Sequence, residues 1–123
     1  MPDVETQVTV DDRRRDNRID AYDVGLRVVN SIDGEQLGII GNLSQGGMML
    51  ITTRQLFPNG VLQLRIENLA DPGETPITLG VKVLWCVPAN SPNEYWAGLE
   101  TIDAASADRM ALQRLLDQLA ESV

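Results

Sequence analysis

The sequence predicts an all-β fold, an antiparallel barrel or sandwich of short strands, followed by one C-terminal helix. Between about Tyr22 and Ile102, apolar and polar residues alternate in short runs that turn-forming residues interrupt, and roughly six or seven strands fit that spacing. No helical pattern separates these runs, whereas leucines recur at helical spacing after Ser106. We favour the barrel, because a small open sheet would leave unpaired strand edges.

Turn residues separate the strands in chain order. Asp33-Gly34 is a hairpin signal between two short apolar stretches. Further polar or glycine-rich turns and one loop follow at positions 42–47, 58–60, 71–74 and 88–93. Each turn therefore marks the end of one predicted strand and the start of the next.

The length of 123 residues and the hydrophobic fraction of 43% fit a single domain. Residues 1–12 lack an apolar period, and we interpret them as a flexible tail. We divide the domain, 13–121, into an arginine-rich loop (13–21), a barrel (22–102) and a helix (104–121). The N-terminus does not resemble a signal peptide, and no apolar run approaches the roughly 20 residues of a membrane span. We expect a cytoplasmic protein.

Periodicity also predicts which large side chains are buried. Apolar residues occupy every second position from Ile77 to Val87, and this pattern predicts that Trp85 belongs to the core. Trp96 either packs against the helix or stacks on a ligand. Asp103 or Ser106 is the predicted helix cap. The apolar face of the helix comprises Met110, Leu112, Leu115, Leu116 and Leu119.

Composition excludes several chemistries. The chain has no histidine and one cysteine, Cys86, so it cannot form an internal disulfide, a Ser-His or Cys-His couple, or a histidine metal site. Carboxylate binding of Mg²⁺ or Ca²⁺ stays formally open, although no loop has the density of acids that such sites use. We therefore expect neither an enzyme nor a bound metal or cofactor.

The basic residues are few and clustered. The formal net charge is -8, which disfavours binding of DNA or RNA through bulk charge. Four of the ten basic residues lie within six positions, at Arg13, Arg14, Arg15 and Arg18. Guanidinium groups form bidentate bonds with phosphates and base edges and stack on rings. An arginine cluster on an acidic protein points to a small anionic ligand.

Two short motifs contain complementary chemistry. Arg14 and Arg18 form an Arg-x-x-x-Arg spacing just before the first predicted strand, and Asn42, Ser44 and Gly47 form an Asn-x-Ser-x-x-Gly turn between two strands. The arginines suit phosphate and the O6/N7 edge of guanine. The turn offers an amide, a hydroxyl and backbone N–H groups for the polar edges of a base. Each motif alone is common in ordinary chain termini or turns. The two motifs together, in this order, are a far more specific signal of ligand binding.

This pair resembles the signature of the PilZ domain family, bacterial receptors for cyclic di-GMP. Arg14 and Arg18 match its first part, and Asn42, Ser44 and Gly47 match its second, with Asn in a position that is Asp or Asn in the family. Two later segments, 83–85 and 97–100, are similar to the family's last two strands. The resemblance implies a six-stranded antiparallel barrel of the split-barrel type, an arginine loop over its outer face and a C-terminal helix.

The resemblance also implies the roles of the site residues. Arg14 and Arg18 would contact phosphate and guanine, Asn42 and Ser44 would hydrogen-bond guanine, and Gly47 would set the turn. Arg13 and Arg15 would add phosphate contacts or stack on a second ligand molecule, and the resemblance leaves open whether one ligand or a stacked pair binds. Arg15, Gly46 and Trp96 are secondary candidates. The loop would become ordered over the ligand and relay the signal to a downstream protein partner, as a monomer or a ligand-linked dimer.

Three other functions stay open from the sequence. The chain could be a nucleotide-independent adaptor in pilus assembly or motility, although the arginine motif argues against this. A small barrel could bind nucleic acid, but the charge of -8 and the aromatic content of 4% oppose it. A hydrolase is weaker still, since Ser44 has no histidine base. The sequence does not decide whether the receptor would serve motility, biofilm formation or another process.

Overall fold

The computed structural model describes residues 18–69, 71 and 73–121. The predicted tail (1–12) and the candidate site residues Arg13, Arg14 and Arg15 lie outside the described residues. Within the described part, the chain forms seven strands and one helix: β1 (Ile19–Asp20), β2 (Leu26–Asn30), β3 (Gln36–Leu43), β4 (Gly47–Thr52), β5 (Val61–Asn68), β6 (Ile77–Pro88), β7 (Tyr95–Asp103) and α1 (Ser106–Glu121).

Six of these strands close an antiparallel barrel. The order is β3-β2-β5-β6-β7-β4, and β4 pairs back with β3 to complete the ring. The extra strand, β1, pairs with the end of β3 in a segment that the sequence predicted as part of a loop. The predicted antiparallel barrel of six strands with a C-terminal helix is therefore confirmed, and closure removes the exposed edges that a sandwich would keep.

Turn chemistry explains the connections. Gly34 has a φ of 75° in the hairpin between β2 and β3, a left-handed conformation that glycine adopts without steric cost. Asn59 (φ 69°) and Asn93 (φ 62°) occupy the same region in the turns before β5 and β7, where Asn is better tolerated than most residues. The alternation in β5 and β6 then directs one set of side chains into the barrel.

The helix α1 lies against β6 and β1 and buries its leucines at positions 112, 115, 116 and 119. Met110, which the periodicity assigned to the same face, is 61% exposed because it lies two residues before Leu112, on the opposite side of the helix. The carboxylate of Asp108, in the first turn, accepts a hydrogen bond of 3.0 Å from the backbone N–H of Thr78 and thereby fixes the helix start against β6. No helix in the described residues has the length and hydrophobicity needed to cross a bilayer.

The prediction that Trp85 packs in the core is wrong, since the residue is 42% exposed. The register between β6 and β7 shifts between Val83 and Trp85, so Leu84 is an extra residue in a β-bulge. A bulge breaks the two-residue alternation, and side chains beyond it change face. Val83 is therefore buried, whereas Trp85 and Val87 lie on the outer surface.

Candidate functional site

The outer face of β3, β4, β7 and β6 is organised in cross-strand rows. Strand register sets each row, because directly paired residues point to the same side of a sheet. The middle row contains Asn42, Met49, Gly98 and Trp85. A row on one side contains Ile39, Ile51, Trp96 and Val87, and a row on the other side contains Gly47, Glu100 and Lys82.

A bulge in β3 is the reason that Asn42 faces outward. The register between β3 and β4 shifts between Ile40 and Asn42, which leaves Gly41 as the extra residue. Ile40 and Leu43 are both fully buried, whereas Asn42 between them is partly exposed. Regular alternation from Ile40 would have directed Asn42 into the core, so the bulge is what presents its amide on the surface.

The turn after Asn42 is closed by its own serine. The backbone N–H of Ser44 donates to the carbonyl of Gly47 at 2.9 Å, and the N–H of Gly47 donates to the Ser44 hydroxyl at 3.2 Å. Ser44 is 1% exposed. The carbonyl of Gly46 accepts a bond of 2.9 Å from the N–H of Thr101, which fastens the turn to β7. The hydroxyl of Ser44 therefore stabilises the turn.

Arg18 lies directly over this turn. Its Nη1 donates a hydrogen bond of 3.2 Å to Oδ1 of Asn42. A Cβ atom added to Gly47 would stand 3.4 Å from Nη2 of Arg18 and would collide with the backbone carbonyl of Leu99. Gly47 thus leaves room both for the neighbouring strand and for the guanidinium. Two segments that lie 24 residues apart in the chain meet on one wall of the barrel.

The structure brings together some of the residues that the sequence selected. Arg18, Asn42 and Gly47 are in contact, and Gly46 is exposed at the tip of the turn. Ser44 belongs to the same turn, although its side chain is buried. Trp96 lies on the same outer face, two rows from Gly47. Whether each of them contacts a ligand stays a prediction.

Sequence reasoning missed a cavity beside the contact between Arg18 and Asn42. It has a volume of about 450 Å³ and is lined by residues of β1, β3, β4, β7, the turn after β1 and the loop between β6 and β7. Asp20 and Tyr22 belong to this lining, and neither was a candidate from the sequence. The alternation Arg18, Ile19, Asp20 was the available signal, since it places Arg18 and Asp20 on the same side of an extended segment.

The candidate turn is also attached to the C-terminal helix. The side-chain amide of Gln45 donates to the backbone carbonyl of Arg109 at 3.2 Å and to Oε1 of Gln113 at 3.1 Å. Gln45 lies between Ser44 and Gly46 in the turn, so the segment 42–47 contacts Arg18 through Asn42 and α1 through Gln45. Side-chain hydrogen bonds therefore join the turn to the helix.

Charged side chains on the barrel wall formed by β2 and β5 are arranged differently. Glu67 accepts hydrogen bonds from Nη2 of Arg27 at 2.7 Å and from Nε of Arg65 at 2.9 Å. The hydrogen bond from Arg27, followed by that from Arg65, holds the pKa of Glu67 below its ordinary value of 4.5. These three groups satisfy one another across two strands.

Comparison with known proteins gives a family match and structural neighbours. The family model described as "PilZ domain" matches residues 12–118. A search of curated proteins found no match. The family match covers both motifs, including the arginines before residue 18.

Solved structures share the fold. The PilZ domain of YcgR from Escherichia coli with c-di-GMP is 17% identical, with a TM-score of 0.65 over 89% of this chain and 93% of that chain. The Bacillus subtilis inhibitor of motility MotI/DgrA is 20% identical (TM-score 0.62; 85% of this chain, 52% of that chain). The K. pneumonia MrkH–c-di-GMP complex is also 20% identical (TM-score 0.65; 89% and 54%). The chain thus spans about half the length of MotI/DgrA and MrkH, and at these identities the likeness establishes the fold alone.

Proposed function

Because the chain belongs to the PilZ domain family, we propose that it is a receptor for cyclic di-GMP and not an enzyme. The observation that carries the proposal is the contact of the Arg18 guanidinium with Asn42 above Gly47. This contact joins the two motifs on one face, as a shared ligand site requires. Structural neighbours that hold c-di-GMP, the YcgR domain and MrkH, support the same ligand class.

The ligand carries two phosphates and two guanines, and the site offers groups for both. Arg18 would grip phosphate or the O6/N7 edge of guanine with its planar fork. The Asn42 amide, already turned outward, offers both a donor and an acceptor to a base. Arg14, and Arg13 beside it, would complete the cation cluster in the motif positions before β1. Ser44 and Gly47 would keep the turn in the shape that admits the ligand.

The energetics permit useful affinity. Each charge-assisted hydrogen bond contributes about 1.5–3 kcal/mol, whereas ordering the backbone costs about 1–2 kcal/mol for each residue that becomes fixed. A few such bonds, together with base stacking, suffice for micromolar binding, which corresponds to about -8 kcal/mol. Since Arg18 is exposed, the affinity should fall as salt screens the phosphate contacts.

We propose that the signal leaves the site through Gln45. Its bonds to the Arg109 carbonyl and to Gln113 connect the ligand-facing turn to α1. A ligand that shifts the turn would change these bonds and alter the surface that α1 presents to a downstream protein. Replacement of Gln45 by Ala should then leave the affinity for cyclic di-GMP nearly unchanged but remove the ligand-induced shifts of α1 amides in NMR spectra.

Isothermal titration calorimetry tests the receptor function. Wild-type protein should bind cyclic di-GMP, and Arg18→Ala should weaken binding by roughly a hundredfold or more, the equivalent of about two charge-assisted bonds. Arg114→Ala, on the exposed side of α1, removes the same charge away from the site and should bind like wild type. Circular dichroism should show that both variants are folded.

Two results would reject the proposal. Folded wild-type protein that releases no heat with the nucleotide at roughly tens of micromolar would leave the nucleotide-independent adaptor as the better account. Equal affinity of wild type and Arg18→Ala would move the binding site away from the Arg18–Asn42 contact. A pull-down with and without nucleotide would then show whether a partner binds independently of the ligand.

A further inference from the structure

The cavity beside Arg18 has the size and lining of a base-binding pocket. Its volume of about 450 Å³ lies in the range of about 300–1,000 Å³ that is usual for small-molecule sites. The floor is formed by apolar side chains of the barrel wall, among them Ile39, Met49 and Ile51, and the partly buried indole of Trp96 is part of the lining. A flat aromatic ring can therefore be covered on one face.

Asp20 places a negative charge at the boundary between this cavity and the Arg18–Asn42 contact. Strand β1 pairs Asp20 directly with Asn42, and Asp20 lies two residues after Arg18 on the same exposed side of the strand. No other described residue forms a hydrogen bond or an ion pair with its carboxylate. An open acceptor thus stands next to the cation that would hold the ligand.

A carboxylate at this position does not suit phosphate, which it repels. It suits a pair of neighbouring hydrogen-bond donors, and a carboxylate can accept two of them at once. Guanine presents such a pair, N1–H and the 2-amino group, on its Watson–Crick edge. Adenine presents an acceptor at N1, which a carboxylate disfavours. Arginine reads the opposite edge of guanine, O6 and N7, so the two charged groups do not compete for the same atoms.

We propose that this cavity is a guanine subsite in which Asp20 accepts hydrogen bonds from N1–H and the 2-amino group, while Trp96 packs against the base. The inference rests on the proposed function and deepens it, because it names the residue that selects guanine. Arg18 supplies affinity for the anionic ligand; Asp20 supplies selectivity for its bases. Glu94, the other acid of the cavity, is not paired with Asn42 and serves as the control for this selection.

The test compares cyclic di-GMP with its inosine analogue, which lacks only the 2-amino group of each base and keeps N1–H, O6 and N7. Wild-type protein should prefer cyclic di-GMP by about tenfold or more, the effect of losing a charge-assisted hydrogen bond. In Asp20→Asn this preference should fall below about threefold, since the amide offers a single, uncharged acceptor. Calorimetric titrations of both nucleotides give the ratio directly.

Matched variants separate selectivity from general charge effects. Asp23→Asn removes an equivalent exposed charge outside the cavity lining and should keep the wild-type ratio, as should Glu94→Gln. Trp96→Ala should weaken both nucleotides alike, by roughly tenfold, because stacking does not depend on the 2-amino group. Thermal melts should show that every variant is folded.

The outcomes distinguish this inference from the receptor function. Binding of cyclic di-GMP with the same nucleotide ratio in wild type and Asp20→Asn would overturn the role of Asp20 and leave the receptor intact. If the preference for cyclic di-GMP over its inosine analogue is instead lost in Glu94→Gln, then Glu94 is the selective acid, and the role of Asp20 is overturned. Failure of wild type to bind either nucleotide would reject the receptor and, with it, the subsite.

Discussion

Two walls of the same barrel use charge in different ways. On the ion-pair face, formed by β2 and β5, Arg27 and Arg65 both donate to Glu67, and each charge has a partner. On the site face, formed by β1, β3, β4 and β7, Arg18 donates a side-chain hydrogen bond to the neutral amide of Asn42 and lies over Gly47. The charges of the first wall pair with one another, whereas Arg18 on the second wall has no ion-pair partner among the described residues.

The two walls also differ in what surrounds the charges. Arg27 and Glu67 are paired residues of neighbouring strands, so their ion pair is part of the cross-strand packing. Arg18 lies over Gly47, where the absent side chain opens space above the backbone. A charged residue on a barrel surface therefore indicates ligand binding only when two things are known: which groups it pairs with, and which residues lie beneath it.

Among the variants that test the contrast between the two walls, Gly47→Ala should have the largest effect. The added methyl group would collide with the carbonyl of Leu99 and crowd the Arg18 guanidinium. We expect the free energy of unfolding to fall by about 1–3 kcal/mol, as for other overpacked positions, and cyclic di-GMP binding to be lost. Urea denaturation and calorimetry would measure the two effects.

The matched control for this substitution is Gly73→Ala, in an exposed turn. The nearest atom to its added methyl group is Oδ1 of Asp71 at 3.8 Å, an ordinary contact. Its stability should stay within about 0.5 kcal/mol of wild type. If Gly47→Ala is as stable as this control and binds cyclic di-GMP like wild type, then the space that Gly47 leaves beneath Arg18 has no special role.

A smaller effect is expected from Trp85→Ala. A fully buried Trp costs about 3–5 kcal/mol when truncated, but the indole of Trp85 lies on the outer surface over Gly98. We expect a loss below about 2 kcal/mol, because part of its apolar surface is already in water. Denaturation of this variant beside Leu99→Ala, a fully buried neighbour, makes the comparison. A loss of stability as large as that of Leu99→Ala would contradict the surface position of Trp85 and indicate that it packs in the core.

The smallest effect is expected on the ion-pair face, from Glu67→Gln. Hydrogen bonds from Arg27 and then Arg65 lower the folded-state pKa of Glu67, so its stabilisation is present above the unfolded value of 4.5 and is lost as pH falls through the folded value. The difference between wild type and variant should be no more than about 1 kcal/mol at neutral pH, since these side chains are partly exposed.

Denaturation at several pH values checks this expectation. The stability difference should shrink toward zero in acid, while cyclic di-GMP affinity at neutral pH stays that of wild type. A difference that is independent of pH would show that the carboxylate charge does not stabilise the fold. A variant that binds the nucleotide less tightly would show that the two walls are not separate.

Local patterns predicted most of the barrel. Asp33-Gly34 identified the first hairpin, the alternation around Leu64 identified β5, and the spacing of Leu112 and Leu116 identified α1. Each of these signals depends on residues that are close in sequence. The motif residues Arg18 and Asn42 do meet on one wall, although the resemblance to a family was needed to interpret them as a site.

The rest depends on strand register, which no local pattern contains. The bulges at Gly41 and Leu84 reverse the direction of the side chains that follow, so Asn42 faces outward and Trp85 leaves the core. The pairing of β1 with β3 places Asp20 opposite Asn42, and the cavity next to them arises only when the barrel closes. Residues far apart in the chain decide each of these features.

An NMR titration with cyclic di-GMP tests the central claim most directly. We predict saturable shifts of the backbone amides from Asn42 to Gly47 and of those around Gly98 on β7, in the same cross-strand row as Asn42, with the amides of Arg27, Arg65 and Glu67 unmoved. Shifts confined to the ion-pair face, or no shifts at saturating nucleotide, would contradict the assignment of the site to the wall where Arg18 meets Asn42.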